Sequence, residues 1–220
     1  MKIPEAGNWT FESHDIAKSF DDHVREQLPW YDLASGIVFH IVRHFLPEKG
    51  TVYDIGASTG NVGVGIADIL ESRNCRLIAI EPSLEMKKLY KARGEFLAKK
   101  AEDVEFEPFN VAVMFLTMMF VPVAERRALI SRLIEKCREG GCIIIFDRTA
   151  KNSGYMATVI NRLTLSGKMA MGAAPEKILQ KELSLAGCQI PYNCDHPNAV
   201  EVFRFGDFAG WVIQKGIEND

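Results

Sequence analysis

The sequence lacks several features that would place the protein in a specialised class. Its five cysteines form no Cys-x-x-Cys pair, a spacing typical of redox and zinc sites, so we expect free thiols in a reducing cytoplasm. The longest apolar run, 111–123, has 13 residues, whereas a bilayer-spanning helix needs roughly 20. The chain does not open on a charged and then apolar leader, so we expect no secretory signal and no membrane partner.

The chain also has no excess of positive charge. Its formal net charge is −3 over 220 residues, so a nucleic-acid partner is not indicated. His40 and His44 stand one helical turn apart, but no third ligand has a matching position, and we expect no metal site. With 47% hydrophobic and 25% charged residues, the chain has the composition of an ordinary globular protein with one substantial core.

What the sequence does have is a glycine loop between a strand and a helix, in residues 51–62. A β-branched and aromatic run ends at Asp54, and Gly56 and Gly60 then enclose the small residues Ala57 and Ser58. Glycine accepts positive φ and has no Cβ to hold a ligand away, and the first N–H groups of the following helix lack internal partners. In open α/β sheets, ligands bind at this carboxyl end of the strands.

A second acidic residue strengthens this interpretation. The buried-strand run 75–80 ends at Glu81, which follows Asp54 by 27 positions (81 − 54). This is close to the roughly 20 positions that place an acid at the tip of the neighbouring strand, where it binds ribose hydroxyls. Pro82 and Ser83 then favour the start of a helix that runs through Arg93. The two strand ends together predict a site for a ribose-containing ligand.

Two segments carry a resemblance to a known family. Asp-Ile-Gly-Ala-Ser-Thr-Gly at 54–60 and Ile-Glu-Pro-Ser-Leu-Glu-Met at 80–86 resemble motifs I and II of class I S-adenosylmethionine-dependent methyltransferases. The Gly-x-x-x-Gly spacing is that family's, whereas a dinucleotide site would have Gly-x-Gly-x-x-Gly. The resemblance implies S-adenosylmethionine as cofactor, bound by Asp54, Gly56, Ala57, Ser58, Gly60, Glu81 and Pro82.

The alternation of strands and helices predicts the fold class. Five strand and helix pairs follow one another from residue 51, which indicates a parallel sheet with helices on both faces. Strands at 200–205 and 208–214 form a closing antiparallel pair, and 189–194 is a candidate to join them. We therefore predict an α/β Rossmann-like methyltransferase fold, with a seven-stranded, mostly parallel sheet, an antiparallel edge hairpin and two N-terminal helices.

We predict one methyltransferase-like domain with four parts. Residues 1–48 form an N-terminal helical cover and 49–150 the cofactor-binding core. A substrate-side helical segment spans 151–187, and C-terminal strands span 188–220.

The position that would bind adenine departs from the family. The family places an acid just after the third strand, here 96–98, but the chain has two lysines there, and lysine cannot accept a hydrogen bond. Two alternatives stay open: Glu102 or Asp103 serves after a shift of register, or the backbone at Ala101 and apolar packing hold the base. The fourth strand, 111–116, brings Phe115 to the same crevice.

The opening of the chain resembles a more specific family. Trp-Thr-Phe-Glu at 9–12 and Pro-Trp-Tyr at 29–31 resemble the carboxy-S-adenosylmethionine synthases, methyltransferase-like enzymes of the tRNA wobble-uridine pathway. The resemblance implies that Tyr31 touches the cofactor and that Arg162 binds the carboxylate of a carboxylated cofactor. The segment before Gly154 is shorter here than in that family. We therefore expect this chain to lack a helix that contributes to the family's pocket and dimer contact.

Three functions remain open from the sequence. The first is an S-adenosylmethionine-dependent methyltransferase with a small or undefined acceptor, the second a carboxy-S-adenosylmethionine synthase-like enzyme in tRNA wobble modification, and the third a non-catalytic S-adenosylmethionine-binding module. A small-molecule substrate is expected, and a homodimer is possible. The catalytic residue stays unknown, although four residues are candidates by location: His14, Tyr31, Asp147 and Tyr155.

Overall fold

The N-terminal helices pack over the sheet. The computed structural model describes residues 20–150 and 153–216. Helix α1 spans Phe20–Gln27 and helix α2 spans Tyr31–Phe45. Pro29 lies between them, where its missing N–H and fixed φ prevent one continuous helix. Both predicted helices are present, although the predicted residues of the first helix before Phe20 lie outside the described part.

The sheet confirms the predicted fold class. Its seven strands in the described part have the order β3-β2-β1-β4-β5-β7-β6. The first five are parallel, and β7 pairs antiparallel with both β5 and β6. Their bounds are β1 Thr51–Ile55, β2 Arg76–Ile80, β3 Glu95–Leu97, β4 Phe109–Phe115, β5 Cys137–Arg148, β6 Ala199–Phe205 and β7 Phe208–Gln214.

Helices connect the parallel strands and then form a separate segment after β5. Two short 3₁₀ turns, Ala101–Asp103 and Met118–Phe120, precede and follow β4. Within the described residues, no helix has both the length and the apolar character to span a membrane. The remaining helices are α3 Asn61–Gly65, α4 Ala67–Ser72, α5 Leu84–Lys88, α6 Val123–Lys136, α7 Gly154–Ala170 and α8 Pro175–Ser184.

The hydrophobic core lies on both faces of the sheet. Because successive strand side chains point to opposite faces, Val52 packs with α2, whereas Tyr53 and Ile55 pack in the cluster that contains α6. All five residues of β1 are buried. A strand that is covered on both faces has a continuous apolar sequence. The parallel strands could therefore be predicted from their apolar runs.

The segment 189–194 differs from its prediction, and a buried arginine explains the difference. Arg126 on α6 is 8% exposed. Its guanidinium donates to the carbonyls of Ile190 and Pro191 at 2.8 and 2.9 Å and to that of Val121 at 2.9 Å. The segment 189–194 is therefore held as a loop by a buried arginine and does not form a strand.

The connection between β2 and β3 is shorter than predicted. The sequence predicted a helix from Ser83 to Arg93, but α5 ends at Lys88. The ring of Tyr90 instead packs edge-on against Phe96, with centroids 4.9 Å apart. This contact brings the chain directly into β3, which begins at Glu95.

Candidate functional site

A cavity of about 320 Å³ lies at the carboxyl ends of the parallel strands. Loops after β1, β2 and β4 form one end, and helices α1, α7 and α8 supply residues to the other. The structure thus brings most of the sequence-predicted site residues to one place. Those that line the cavity are Tyr31, Asp54, Gly56, Ala57, Ser58, Glu81, Pro82, Ala101, Glu102 and Phe115.

The glycine loop after β1 is fixed by backbone hydrogen bonds to β2. The N–H groups of Gly56 and Ala57 donate to the carbonyl of Ile80 at 2.8 and 3.1 Å. Gly56 has φ +74°, and a Cβ at this position would collide with Oγ1 of Thr117. Ser58 also has positive φ, 50°, a conformation that costs a non-glycine residue roughly 1–2 kcal/mol. Such strained backbone is concentrated at functional sites.

Gly60, the second glycine of the loop, packs against the segment before β3. It has φ +95°, and a Cβ there would lie 3.0 Å from the ring of Tyr90 and 3.1 Å from the N atom of Ala92. Gly60 is not among the described residues that line the cavity. The second glycine of the loop is therefore needed for the turn and for packing against the segment before β3.

Glu81 is oriented by the two loops that flank it. Its carboxylate accepts a hydrogen bond from the Ser58 N–H at 3.0 Å and another from the Ser83 N–H at 3.0 Å. Ser83 in turn caps α5, because its hydroxyl accepts from the Met86 N–H at 3.2 Å. The side chain is 93% buried, with 7% exposed. The acid at the tip of β2 thus has a fixed orientation at the cavity, beside the glycine loop.

Asp54 places a second carboxylate at the same end of the cavity. The residue is 2% exposed, and its Oδ2 has no hydrogen-bond partner within the described part of the chain. Burial, reinforced by the negative charge of Glu81, raises the pKa of Asp54 to about 7. A buried, incompletely satisfied carboxylate beside another carboxylate favours a cation or a hydrogen-bond donor in the cavity.

The 3₁₀ turn after β3 narrows the alternatives for the adenine position. Ala101 and Glu102 line the cavity, and so does Lys100. Asp103 is exposed and is not among the described lining residues. Arg132 on α6 donates to the Glu102 carbonyl at 2.8 Å and fixes the turn. Of the two acids that the sequence left open, only Glu102 is at the cavity.

An aromatic contact joins the N-terminal helices to the end of β4. Tyr31 is 5% exposed, and its ring meets Phe115 edge-on at 5.3 Å between centroids. The Arg25 guanidinium lies over the same ring at 5.2 Å. Burial raises the pKa of Tyr31 far above its usual range, so its hydroxyl stays protonated. Tyr31 therefore closes the cavity as an uncharged ring with a polar tip.

The catalytic candidates are mostly away from the cavity. Asp147 is 1% exposed and accepts from the N–H groups of Arg148 and Met119 at 2.8 and 3.3 Å. Tyr155 is 73% exposed on α7. His14 lies outside the described residues. Of the three candidates in the described part, Tyr31 alone lines the cavity.

Arg162 is exposed on α7 and is not among the described residues at the cavity. The charged side chains that do reach the helical end are ones that sequence reasoning did not predict. They are Arg148, Lys168, Lys181 and Glu182, accompanied by Gln27 of α1. No local motif marks them, because they come from four separate elements. Among the described residues, no group of histidine, cysteine and acidic side chains could hold a metal ion.

Comparison with known proteins supports the resemblance on most of the chain. No family model matches the sequence. A carboxy-S-adenosyl-L-methionine synthase of Staphylococcus epidermidis is 26% identical over 209 residues, which cover 92% of this chain and 91% of that protein. The Shewanella pealeana protein of the same name is 24% identical, with 89% and 85% covered. The predicted resemblance is confirmed.

Solved structures confirm the fold. A structure described as an S-adenosyl-L-methionine-dependent methyltransferase from Methanococcus maripaludis is 16% identical, with a TM-score of 0.55, and the match covers 98% of this chain and 99% of that one. The plantazolicin methyltransferase BpumL, solved with S-adenosylhomocysteine, has 11% identity and a TM-score of 0.57, with 91% and 89% covered. At these identities the likeness establishes the class I methyltransferase fold.

Proposed function

We propose that this chain, which has the class I methyltransferase fold, is an S-adenosylmethionine-dependent transferase that binds its cofactor in the cavity. The observation that carries the proposal is the arrangement of two buried carboxylates, Asp54 and Glu81, on either side of a glycine loop. A ligand with a cationic group and a ribose would satisfy both acids. S-adenosylmethionine has this combination, and its attached carbon is already activated toward nucleophiles.

Each predicted cofactor residue then has a role that its position supports. Glu81 would accept the ribose hydroxyls, as acids at the end of the second strand do in nucleotide-binding folds. Asp54, with its unpaired Oδ2, would pair with the ammonium of the methionyl part. The backbone of Gly56 to Ser58 would lie against the ligand. Ala101 and Glu102 would flank the adenine, and Tyr31 and Phe115 would exclude water.

The size of the cavity is that of a small-molecule site. Its volume of about 320 Å³ is at the lower end of the roughly 300–1,000 Å³ of small-molecule sites. In methyl transfer, the protein mainly aligns the acceptor behind the activated carbon and excludes water. A general base is not required for every acceptor, and we assign none.

A carboxy-S-adenosylmethionine synthase is the second candidate function. It is favoured by curated relatives of that name, which match about nine tenths of the chain. In this case the cofactor would leave as its carboxylated form and would serve tRNA modification. The position of Arg162 outside the cavity does not support the predicted carboxylate contact. A homodimer stays a prediction.

Titration calorimetry with S-adenosylhomocysteine tests the proposal. Wild type should bind, and Glu81→Gln should weaken binding by about tenfold or more, because a charge-assisted hydrogen bond contributes roughly 1.5–3 kcal/mol. Glu71→Gln, a change of an exposed glutamate on α4, is the matched control and should bind like wild type. The proposal fails if wild type does not bind S-adenosylhomocysteine at all.

Mass spectrometry of the ligand released from the purified protein separates the two candidates. S-adenosylmethionine or S-adenosylhomocysteine indicates a methyltransferase, whereas a cofactor with one additional carboxylate indicates the synthase. Tight binding of S-adenosylhomocysteine without turnover of any tested acceptor would indicate the third possibility, a non-catalytic binding module.

A further inference from the structure

Helix α1 covers part of the cavity. Its side chains Val24, Gln27 and Leu28 lie about one turn apart and line the cavity, and each is at most 9% exposed. Pro82 and Lys100 also line the cavity, but both are exposed. The cavity is therefore open near Lys100 and enclosed where α1 packs on it.

The proposed cofactor has to place a charged group in the enclosed part. Asp54, the proposed partner of the methionyl ammonium, is 2% exposed. Tyr31, which follows α1 and also lines the cavity, is 5% exposed. A group that carries an ammonium and a carboxylate does not pass between packed side chains, because removing these charges from water is costly. Part of the cover has to move when the cofactor enters or leaves.

The carboxyl end of α1 is anchored. The ring of Trp30, just after the helix, packs against Phe203 and Phe208 with centroids 5.4 and 4.7 Å apart. Pro29 packs against α7, since a Cβ at Gly167 would lie 3.3 Å from its Cγ. These contacts tie the turn after α1 to β6, β7 and α7. A movement of α1 would therefore pivot at this turn, as hinges do at the ends of elements.

The other end of α1 is tied to the glycine loop through a single carboxylate. The Thr59 hydroxyl donates to Oδ1 of Asp21 at 2.5 Å, and the Lys91 ammonium donates to Oδ2 of the same residue. The Lys91 N–H also donates to the Thr59 carbonyl at 3.0 Å. Asp21 thus joins α1 both to the glycine loop and to the segment before β3.

The Asp21 contacts can break at low cost. Burial alone would raise the pKa of Asp21, but hydrogen bonds from Lys91 and Thr59 and the charges of Lys91 and Arg25 hold this pKa below its usual value. The carboxylate is therefore charged at neutral pH. The side chains of Asp21 and Lys91 are 29% and 61% exposed, so water can solvate both charges once they separate. Exposed ion pairs of this kind are weak.

We propose that Asp21 is a positioning residue that fastens α1 across the cavity and sets the rate at which the cofactor enters and leaves. When Asp21 contacts Thr59 and Lys91, α1 encloses the site and the glycine loop is held against it. When these contacts break, α1 pivots at the Pro29 turn and the enclosed part opens. This inference rests on the proposed function of the cavity.

Stopped-flow kinetics of S-adenosylhomocysteine binding tests the proposal. Asp21→Ala should raise the association and dissociation rate constants together, each by about tenfold. The Kd should stay within about twofold, because the open state gains population with and without ligand. Lys91→Met should act in the same direction by about threefold, and adding it to Asp21→Ala should have no further effect.

Asp68→Ala is the matched control. It breaks an exposed ion pair of the same kind, 2.7 Å from Arg43, which joins α4 to α2. Neither residue is among the described residues that line the cavity, so the kinetics should match wild type. Salt should speed dissociation from wild type by screening the Asp21 pair, and should have much less effect in Asp21→Ala. A merely structural role of Asp21 would not produce this difference.

Hydrogen exchange in the ligand-free protein makes the test independent of cofactor binding. The amides of residues 24–28 should exchange about tenfold faster in Asp21→Ala, while those of α6 keep their rates. Unchanged exchange in α1, or a weaker Kd with an unchanged association rate constant, would overturn the proposal. If Asp21→Ala does not fold, Lys91→Met decides. Absence of S-adenosylhomocysteine binding by wild type would remove the proposed function, and exchange would still decide whether Asp21 fastens α1.

Discussion

The two ends of the cavity are held in place in different ways. At the loop end, backbone groups make the decisive contacts: the N–H groups of Gly56, Ala57 and Ser58 meet the Ile80 carbonyl and the Glu81 carboxylate. At the helical end, side chains such as Lys168 and Glu182 hold each other. A site held by backbone contacts tolerates few changes of conformation, whereas a side-chain network can change its charges without rebuilding the sheet.

This difference explains how one fold can keep its cofactor and change its acceptor. The loop end depends on strand register, which the whole sheet fixes. The helical end depends on a few side chains from helices that follow the last parallel strand. Changes at the loop end should therefore affect folding, and changes at the helical end should affect mainly ligand choice. The following experiments test this contrast, from the largest expected effect to the smallest.

Gly56→Ala should be the most damaging change. A Cβ would collide with Oγ1 of Thr117, and the backbone has φ +74°. Overpacking and left-handed strain together predict a loss of about 2–4 kcal/mol in the free energy of unfolding, measured by urea denaturation. Gly36→Ala is the control, because a Cβ on that residue of α2 has nothing within 4 Å. It should gain about 0.5–1 kcal/mol from helix propensity. Equal effects would refute the argument from close packing.

Glu182→Gln should cost less, about 1–3 kcal/mol, because it removes the negative charge and one of the two acceptor oxygens that Lys168 and Arg148 share in a partly buried network. The Glu182 side chain is 29% exposed, so solvent screening reduces the cost from that of a fully buried pair. Glu201→Gln is the control. Its exposed pair with Arg204 should change stability by only about 0.5 kcal/mol or less. S-adenosylhomocysteine affinity should survive both changes, and its loss in Glu182→Gln would contradict the separation of the two ends.

The raised pKa of Asp54, about 7, predicts opposite pH effects on folding and on cofactor binding. The folded pKa lies above the unfolded value of 3.8, so the folded state binds the extra proton between these values. Stability of the free protein should rise as the pH falls from 8 toward 5, by up to about 1.4 kcal/mol per pH unit for one linked proton. In the proposed contact, Asp54 binds the cofactor ammonium as the ionised acid, so the affinity for the cofactor should fall below pH 7.

Asp54→Asn supplies the control for this prediction. Asp147 also has a raised pKa, about 7, and it remains in the variant. The stability of the free variant should therefore keep the pH dependence that comes from Asp147 and lose the part that comes from Asp54. Calorimetry in two buffers with different ionisation enthalpies measures proton release on binding. Release should occur below pH 7 in wild type and disappear in the variant. A pH-independent affinity in wild type would remove Asp54 from contact with the ligand cation.

The loop end was predictable because its determinants are adjacent in sequence. Asp54, Gly56 and Glu81 stand at the ends of strongly apolar strands, and the carboxyl ends of parallel strands share one edge of the sheet. The role of Gly60 was less predictable, since positive φ alone does not tell whether a ligand or Tyr90 occupies the space beside the glycine. The seven-stranded topology followed from the alternation of strands and helices, and the comparisons confirm it.

The helical end could not be predicted for a physical reason. Gln27, Arg148, Lys168 and Glu182 meet only through the packing of separate elements, and polar residues on a helix carry no local sign of which face turns inward. The helical segment 151–187 was predicted, but Arg162 and Lys168 are both polar on α7. Tertiary packing leaves the first exposed and buries the second. The burial of Arg126 could not be predicted for the same reason, because the carbonyl of Ile190 that it binds lies in a loop 64 residues away.

Arg162→Ala should have the smallest effect of all, and this makes it a sharp test of the comparison. The residue is exposed on α7 and away from the cavity, so its truncation should change the affinity for S-adenosylhomocysteine and for the carboxylated cofactor by less than about twofold, or roughly 0.4 kcal/mol. Glu81→Gln, measured in parallel, should lose about tenfold for S-adenosylhomocysteine. If Arg162→Ala instead weakens the carboxylated cofactor and not S-adenosylhomocysteine, the resemblance identified the carboxylate contact correctly. The arginine would then have to reach the ligand in an arrangement of α7 that differs from this one.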